Sequence, residues 1–278
     1  MGHLRATVVS DTHLSPRAPE ADANWDAVAA HVAHTLPDVV LHVGDLTLDG
    51  MNDAGELRRA RSLLDRLPVP WHAVPGNHDV GDNPVTRHAN GPTITLERHE
   101  RWLDAMGADH WAVERAGWTL IGLNAQLFGS GLAAEAAQWS WLSGQLERMP
   151  AGRPTGLVMH KPLSAPEHEL AAAPPYRFVP QPARRRVERV LDGRAMPLVV
   201  SGHVHQFRVL EIRGRRHVWA PTSWAVLPDR VQAPYGAKRC GIVALTLTAD
   251  GGTHASLEEP AGMSQITLTH DIPDPYDR

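Results

Sequence analysis

Five short polar clusters punctuate the chain, and each follows an apolar run that reads as a buried strand. Asp11-x-His13 follows Ala6 to Ser10, Asp45 follows Asp38 to Val43, and Asn77-His78 follows Trp71 to Val74. His160 follows Thr155 to Met159, and His203-x-His205 follows Leu198 to Ser201. In open α/β sheets, ligands gather at this C-terminal strand edge. Any one cluster alone could be an ordinary turn, since turns are rich in Gly, Asn and Asp. Five after five strands need a shared explanation. Side chains two apart in an extended segment point the same way, so Asp-x-His and His-x-His would each present two donors to one centre. The mixture of imidazole, carboxylate and one amide oxygen suits Mn, Fe or Zn better than Mg or Ca. Asp11, His13, Asp45, Asn77, His160, His203 and His205 are too many donors for one tetrahedral ion. They suit two ions with Asp45 between them, an arrangement that clamps the attacking and leaving oxygens of a displacement at phosphorus.

The elements that must position these residues alternate strand and helix over most of the chain. Helical spacing predicts helices from Asn24 (as N-cap) to Leu36, Ala54 to Leu67, Thr95 to Met106, Ala133 to Met149 and Ala183 to Leu191. A further strand is predicted over Gly117 to Asn124. After Ser201 the pattern turns to short strands without helices between them, at Val209 to Ile212, His217 to Ala220 and Gly241 to Thr248. Residues 80–92 and 164–182 read as loops beside the site, the second an irregular insertion with five prolines. Residues 1–250 form one predicted domain, and the polar stretch 251–278 reads as an arm or tail.

Composition narrows the class. At 278 residues and 42% hydrophobic, the chain can bury a substantial core, and a net charge of −4 gives no broad surface for nucleic acid. The lone Cys240 excludes an internal disulfide framework and fits a reducing compartment. The first ten residues lack a signal-peptide pattern, and no stretch approaches the roughly 20 apolar residues of a membrane span. The expectation is a cytoplasmic protein with no membrane partner.

Asp11-x-His13, Gly44-Asp45, Gly76-Asn77-His78-Asp79, His160 and Gly202-His203-x-His205, in that order, resemble the signature of the calcineurin-like metallophosphoesterase superfamily. The contexts Val9 to Leu14 and Gly44 to Thr47 are most similar to the branch of bacterial cyclic-nucleotide phosphodiesterases. Gly76 to Gly81 and Asn124-Ala125-Gln126 also resemble a branch with phosphomonoesterase activity on phosphoproteins. The resemblance implies an α/β fold, a four-layer α/β/β/α sandwich of two mixed sheets flanked by helices. It implies two transition-metal ions (Mn, Fe or Zn), one held by Asp11, His13, Asp45 and His205 and the other by Asp45, Asn77, His160 and His203. A hydroxide between the ions would attack phosphorus. His78, not a ligand, would contact the phosphoryl oxygen or protonate the leaving group.

The implied activity is hydrolysis of a small phosphodiester, cyclic-nucleotide-like, or of a phosphomonoester. A phosphoprotein phosphatase of the same fold is the alternative, and a non-catalytic metal-binding scaffold a remote one. A homodimer is left open. The second block departs from the Ser/Thr phosphatases, which carry an Arg there and a Glu where this chain has Asp79. Purple acid phosphatases place a metal-binding Tyr where this chain has Leu48. What orients His78 is therefore open, with Asp49 and Asp79 as candidates. His88 and His168 lie in loops expected to overhang the site, and Lys161 is either a phosphate contact or a solvated lysine. The remaining histidines read as surface or core. Trp139 and Trp141 read as core packing, and Arg184 to Arg186 as a solvated face.

Overall fold

The computed structural model describes residues 2–86 and 91–268. The first strand, β1 (His3–Val9), sends Leu4, Ala6 and Val8 to one buried face and Val9 to the other, so both faces are covered. Helix α1 (Pro19–Thr35) begins at a proline, whose missing N–H costs nothing at a helix start. It therefore starts five residues before the predicted Asn24. That asparagine lies buried inside the helix, where its amide donates to the carbonyls of Trp224 and Ser264 and accepts from Ser264 N.

Next come β2 (Val39–His42), α2 (Ala54–Leu64, capped by Asp53), β3 (Trp71–Ala73), the one-turn α3 (Asn77–Val80) and α4 (Leu96–Met106, capped by Thr95). Strands β4 (Trp111–Arg115) and β5 (Trp118–Leu123) form a hairpin ahead of α5 (Ala133–Arg148) and β6 (Thr155–Met159). The proline-rich insertion contains α6 (Glu167–Ala172) and a 3₁₀ turn at Pro175–Arg177. It leads into α7 (Gln181–Leu191), then β7 (Leu198–Ser201), β8 (Arg208–Ile212), β9 (Arg215–Trp219), β10 (Ile242–Thr248) and β11 (Thr253–Glu258).

The strands form two mixed sheets, ordered β11-β10-β1-β2-β3 and β4-β5-β6-β7-β9-β8. Their centres, β1-β2-β3 and β5-β6-β7-β9, are parallel, which gathers the C-terminal strand ends on one edge. Leu4, Val8, Leu41, Leu120, Val158, Val200 and Val243 fill the space between the sheets. Helices α1, α2 and α4 cover the outer face of the first sheet through Trp25, Val28, Leu57 and Trp102. Helices α5 and α7 cover the second through Trp139, Leu142, Val187 and Leu191. Each such side chain contributes roughly 1.5–3 kcal/mol by leaving water. The result is the expected four-layer α/β/β/α sandwich.

Two strands escape the sequence reading. The edge strand β4 ends in the polar pair Glu114 and Arg115, two of its five residues. The predicted arm after residue 251 instead contributes β11, paired in antiparallel register with β10 from Ile242↔Glu258 to Leu247↔Thr253. Beyond it, Ile266 and Leu268 pack on Leu48, Trp224 and Ala225. Among the described residues no helix is long and apolar enough to cross a membrane.

Candidate metal centre

Beyond the strand ends the pairing of β1 with β2 continues as two loops lying side by side. Asp11 N donates to Gly44 O at 3.0 Å, His13 N to Asp45 O at 3.1 Å, and Leu14 N to Leu46 O at 2.8 Å. These loops are not extended, contrary to the sequence expectation. Asp11, His13, Asp45, His203 and His205 all have left-handed backbone, with φ of 51°, 47°, 52°, 67° and 52°. For residues other than glycine this costs on the order of 1 kcal/mol each, and such strain clusters at functional sites. In both x-positions the intervening residue faces elsewhere. Thr12 Oγ1 donates to Leu46 O and contacts His42 Nε2, while Val204 packs against Trp219 and Phe178. Donors two apart thus converge through paired left-handed turns. The glycines before the other donors permit close approach. A Cβ on Gly76 would sit 2.1 Å from Asp45 Oδ1 and 2.3 Å from Asp45 N, and one on Gly202 would sit 1.8 Å from Ser10 Oγ.

These turns bring all seven predicted donors together, almost wholly buried. His205 Nε2 is 3.3 Å from Asp11 Oδ1 and 3.4 Å from His13 Nε2. His160 Nε2 is 3.2 Å from Asp45 Oδ2, 3.1 Å from Asn77 Oδ1 and 3.1 Å from His203 Nδ1. The outward ring nitrogens explain the inward ones. His160 Nδ1 meets Val43 O at 2.8 Å, His205 Nδ1 meets Ala225 O at 2.7 Å, and His203 Nε2 meets Tyr176 O at 3.1 Å. A carbonyl only accepts, so each of these nitrogens carries the proton, and the neutral ring offers a bare nitrogen to the centre. Nitrogens facing each other at 3.1 Å need positive charge between them, from a proton on one ring or from a metal ion. Asp11 Oδ1, buried and 3.3 Å from His205 Nε2, faces the same concavity. Imidazoles oriented through their far N–H by backbone carbonyls are the usual support of metal ligands. The donor set fits metal ions.

Electrostatics give the same result. Burial would raise the Asp11 carboxyl, but attraction to His205 and His160 holds it below the usual carboxylate range. Burial opposes ionisation of Asp45 too, and His160 and His78 pull it well down. His160 is lowered by burial but raised more by Asp45, to about 9, and His205 is raised by Asp11 in the same way. Burial, then His78 and His160 respectively, pushes His13 and His203 far below the usual histidine range. Without metal, protons on His160 and His205 supply the cations that the two carboxylates require.

The family model for the calcineurin-like phosphoesterase matches residues 4–207, which contain every one of these donors. The chain belongs to the calcineurin-like phosphoesterase family. A probable glycerophosphodiester phosphodiesterase GpdQ of Arcobacter nitrofigilis is 27% identical over 166 residues, 56% of each chain. The chain thus spans about half the length of that curated relative.

Among solved structures, purple acid phosphatase PPD1 of yellow lupin superposes with a TM-score of 0.65 at 12% identity, covering 95% of this chain and 52% of that one. GAP50, described as the anchor in the inner membrane complex of Plasmodium, scores 0.61 at 13% identity, over 98% and 89%. A dimetal phosphatase from Danio rerio scores 0.58 at 14% identity, over 91% and 95%. At these identities the structures establish the fold alone.

The residues around the donors are held in distinct ways. His78 presses its ring against His13, with centroids 4.6 Å apart, and joins His13 and Asp45 in a compact donor group. Its Nδ1 lies 2.8 Å from Leu48 O, and its backbone N donates to Asp45 Oδ1 at 2.8 Å. The carbonyl of Leu48 thus fixes the ring's orientation, a partner invisible in side-chain identities. Asp79 is occupied otherwise. It accepts from Gly76 N, Leu46 N, Thr47 N and Thr47 Oγ1, tying the third block to the second. Asp49 accepts from Asn52 Nδ2 and pairs with Arg17.

Lys161 is neither solvated nor at the surface. It is fully buried and paired with Asp82 at 2.5 Å. His168 is exposed beside Glu169, and His88 lies outside the described residues. Trp139 stacks on Phe128, with Arg186 over its outer face, as core packing under an exposed basic helix face requires. The sequence reading missed His42, which supports Thr12, and Asp109, which bridges His99, His110 and Asn124.

Proposed function

We propose that the centre holds two transition-metal ions, Mn, Fe or Zn, and hydrolyses a small phosphodiester. The observation that carries this is the inward convergence of acceptor atoms whose far sides are already satisfied by backbone carbonyls. Asp11, His13, Asp45 and His205 would hold one ion, and Asp45, Asn77, His160 and His203 the other. When bound, such ions polarise phosphoryl oxygens and lower the pKa of water.

The remaining steps belong to the chain. Asp45 is locked in place because one oxygen accepts from His78 N while the other faces His160. His78 keeps its Nδ1 proton on Leu48 O and directs Nε2 to the substrate; as the imidazolium it would give the Nε2 proton to the departing oxygen and return to the neutral ring. The 3₁₀ turn at Tyr176 and the left-handed loops close the floor, leaving His78 and His203 as the partly open members of the group.

Diesters are favoured over monoesters because cations at this edge are spent on carboxylates. Arg17 faces Asp49 and Glu56, Lys161 faces Asp82, and Lys238 faces Asp229. A dianionic monoester would find few of them free. The diester activity printed in the relative's name agrees with this.

Assays on bis-p-nitrophenyl phosphate, p-nitrophenyl phosphate, cyclic AMP and a phosphopeptide separate the readings. Highest kcat/KM on diesters supports the proposal, and a marked preference for the phosphopeptide selects the phosphoprotein reading instead. Asn77→Ala should lower metal content, while His78→Ala should keep it and reduce turnover by roughly 10²–10⁴-fold. Identical behaviour of the two variants contradicts the division of roles.

A further inference from the structure

Beside the four cation partnerships at this edge (Arg17, Lys161, Lys238, and Arg208 with Glu169 at 2.5 Å), Arg177 is different. Its side chain is only 5% exposed, yet among the described residues no carboxylate lies within ion-pair distance of it. Nη2 donates to Val231 O at 2.8 Å, whereas Nε is buried and has no partner. Leaving a buried charge unpaired is strongly destabilising, and an unspent buried N–H adds to that cost.

The position of Arg177 relates it to the metal centre. The preceding residue, Tyr176, accepts from His203 Nε2 through its carbonyl at 3.1 Å. The Tyr176 ring lies 6.5 Å from the His203 ring, and the Arg177 guanidinium carbon lies 5.7 Å from that same Tyr176 ring. The guanidinium is therefore no farther from His203 than those two spans together. On the neighbouring loop, Gln232 Oε1 is also buried without a partner. A clip between the two loops would need one N–H and no charge, so a neutral side chain would serve. The charge and the unspent N–H call for an anion.

We propose that Arg177 anchors an anionic group, a carboxylate or a second phosphate, on one ester arm of the substrate. It thereby makes the enzyme selective for phosphodiesters with an acidic arm. The proposal rests on the phosphodiesterase reading above.

Three p-nitrophenyl phosphodiesters test it on Mn²⁺-loaded protein, with ethyl, 2-carboxyethyl and 2-phosphonooxyethyl as the second arm. Wild type should favour at least one acidic arm over ethyl by about tenfold or more in kcat/KM, and which one identifies the anion. Arg177→Gln should lower kcat/KM for that substrate by about 10- to 100-fold, mainly through KM, and change the ethyl substrate by less than about threefold. Arg177→Lys should retain part of the preference. An equal fall on all three substrates, or a wild type that does not discriminate among them, overturns the proposal. A wild type that does not discriminate overturns the proposal even where a variant fails to fold. Hydrolysis of none of the three would instead overturn the phosphodiesterase reading, and the anchor with it.

Discussion

Removing the metal should leave a protein whose stability falls as the solution is made alkaline. His160 is fully buried, and Asp45 raises it to about 9 from an ordinary 6.5. A group whose folded pKa is raised stabilises the fold fully below its unfolded pKa, and that contribution is lost as pH rises through the folded pKa. At 1.36 kcal/mol per pKa unit, His160 alone gives about 3 kcal/mol, lost between about pH 6.5 and 9. His205, raised by Asp11, acts in the same direction. His13 and His203 are lowered, so their effect falls below pH 6.5, where acidification costs stability; Asp11 and Asp45, also lowered, add to that acid loss. Metal-free protein should therefore be most stable near pH 6.5. At about 2–4 °C per kcal/mol for a chain of this size, its Tm should drop by roughly 6–12 °C by pH 9. Metal-loaded protein should lack this alkaline drop, because the ions replace the protons, and apparent metal affinity should rise with pH over the same window. Differential scanning calorimetry of both forms measures this. A metal-free Tm that stays level or rises from pH 6.5 to 9 would refute the electrostatic account of the centre.

Other perturbations test the scaffold. Gly76→Ala places a methyl 2.3 Å from the backbone N of Asp45, which cannot swing away, so the loop must shift. Overpacking of this kind costs about 1–3 kcal/mol, and metal content should fall with it. Asp79→Ala strands the buried N–H groups of Gly76, Leu46 and Thr47. At about 1–3 kcal/mol per orphaned donor, urea unfolding should show a loss of several kcal/mol. Lys161→Met leaves Asp82 buried and unpaired, with an expected loss of about 3–5 kcal/mol that Lys161→Met combined with Asp82→Asn should partly restore.

The fold was largely legible because the central strands are apolar on both faces, as Val39, Val40 and Leu41 show by serving cores on opposite sides of β2. Edge strands were not. No residue of β4 or β11 is fully buried, and their polar residues read as loop or tail. The donors were legible as types and order, since a strand followed by Asp or His is local information. Their convergence was attributed to extended geometry, whereas left-handed turns held by Gly44 O and Asp45 O produce it. Those hydrogen bonds join residues more than thirty positions apart, so no local pattern encodes them. The orienting partners of His78, His160, His203 and His205 are all main-chain carbonyls, which every residue type supplies equally. For the same reason Arg177 carried no signal in the sequence. Its distinction is the absence of a carboxylate around it, a property of the fold.

The central claim is that these seven donors form a two-ion hydrolytic centre. Elemental analysis of the purified chain, paired with a bis-p-nitrophenyl phosphate assay on the same sample, tests it most directly. The account predicts close to two transition-metal ions per chain, with activity lost on chelation and restored by Mn²⁺. No bound transition metal, together with no gain of activity on adding Mn²⁺, would contradict it.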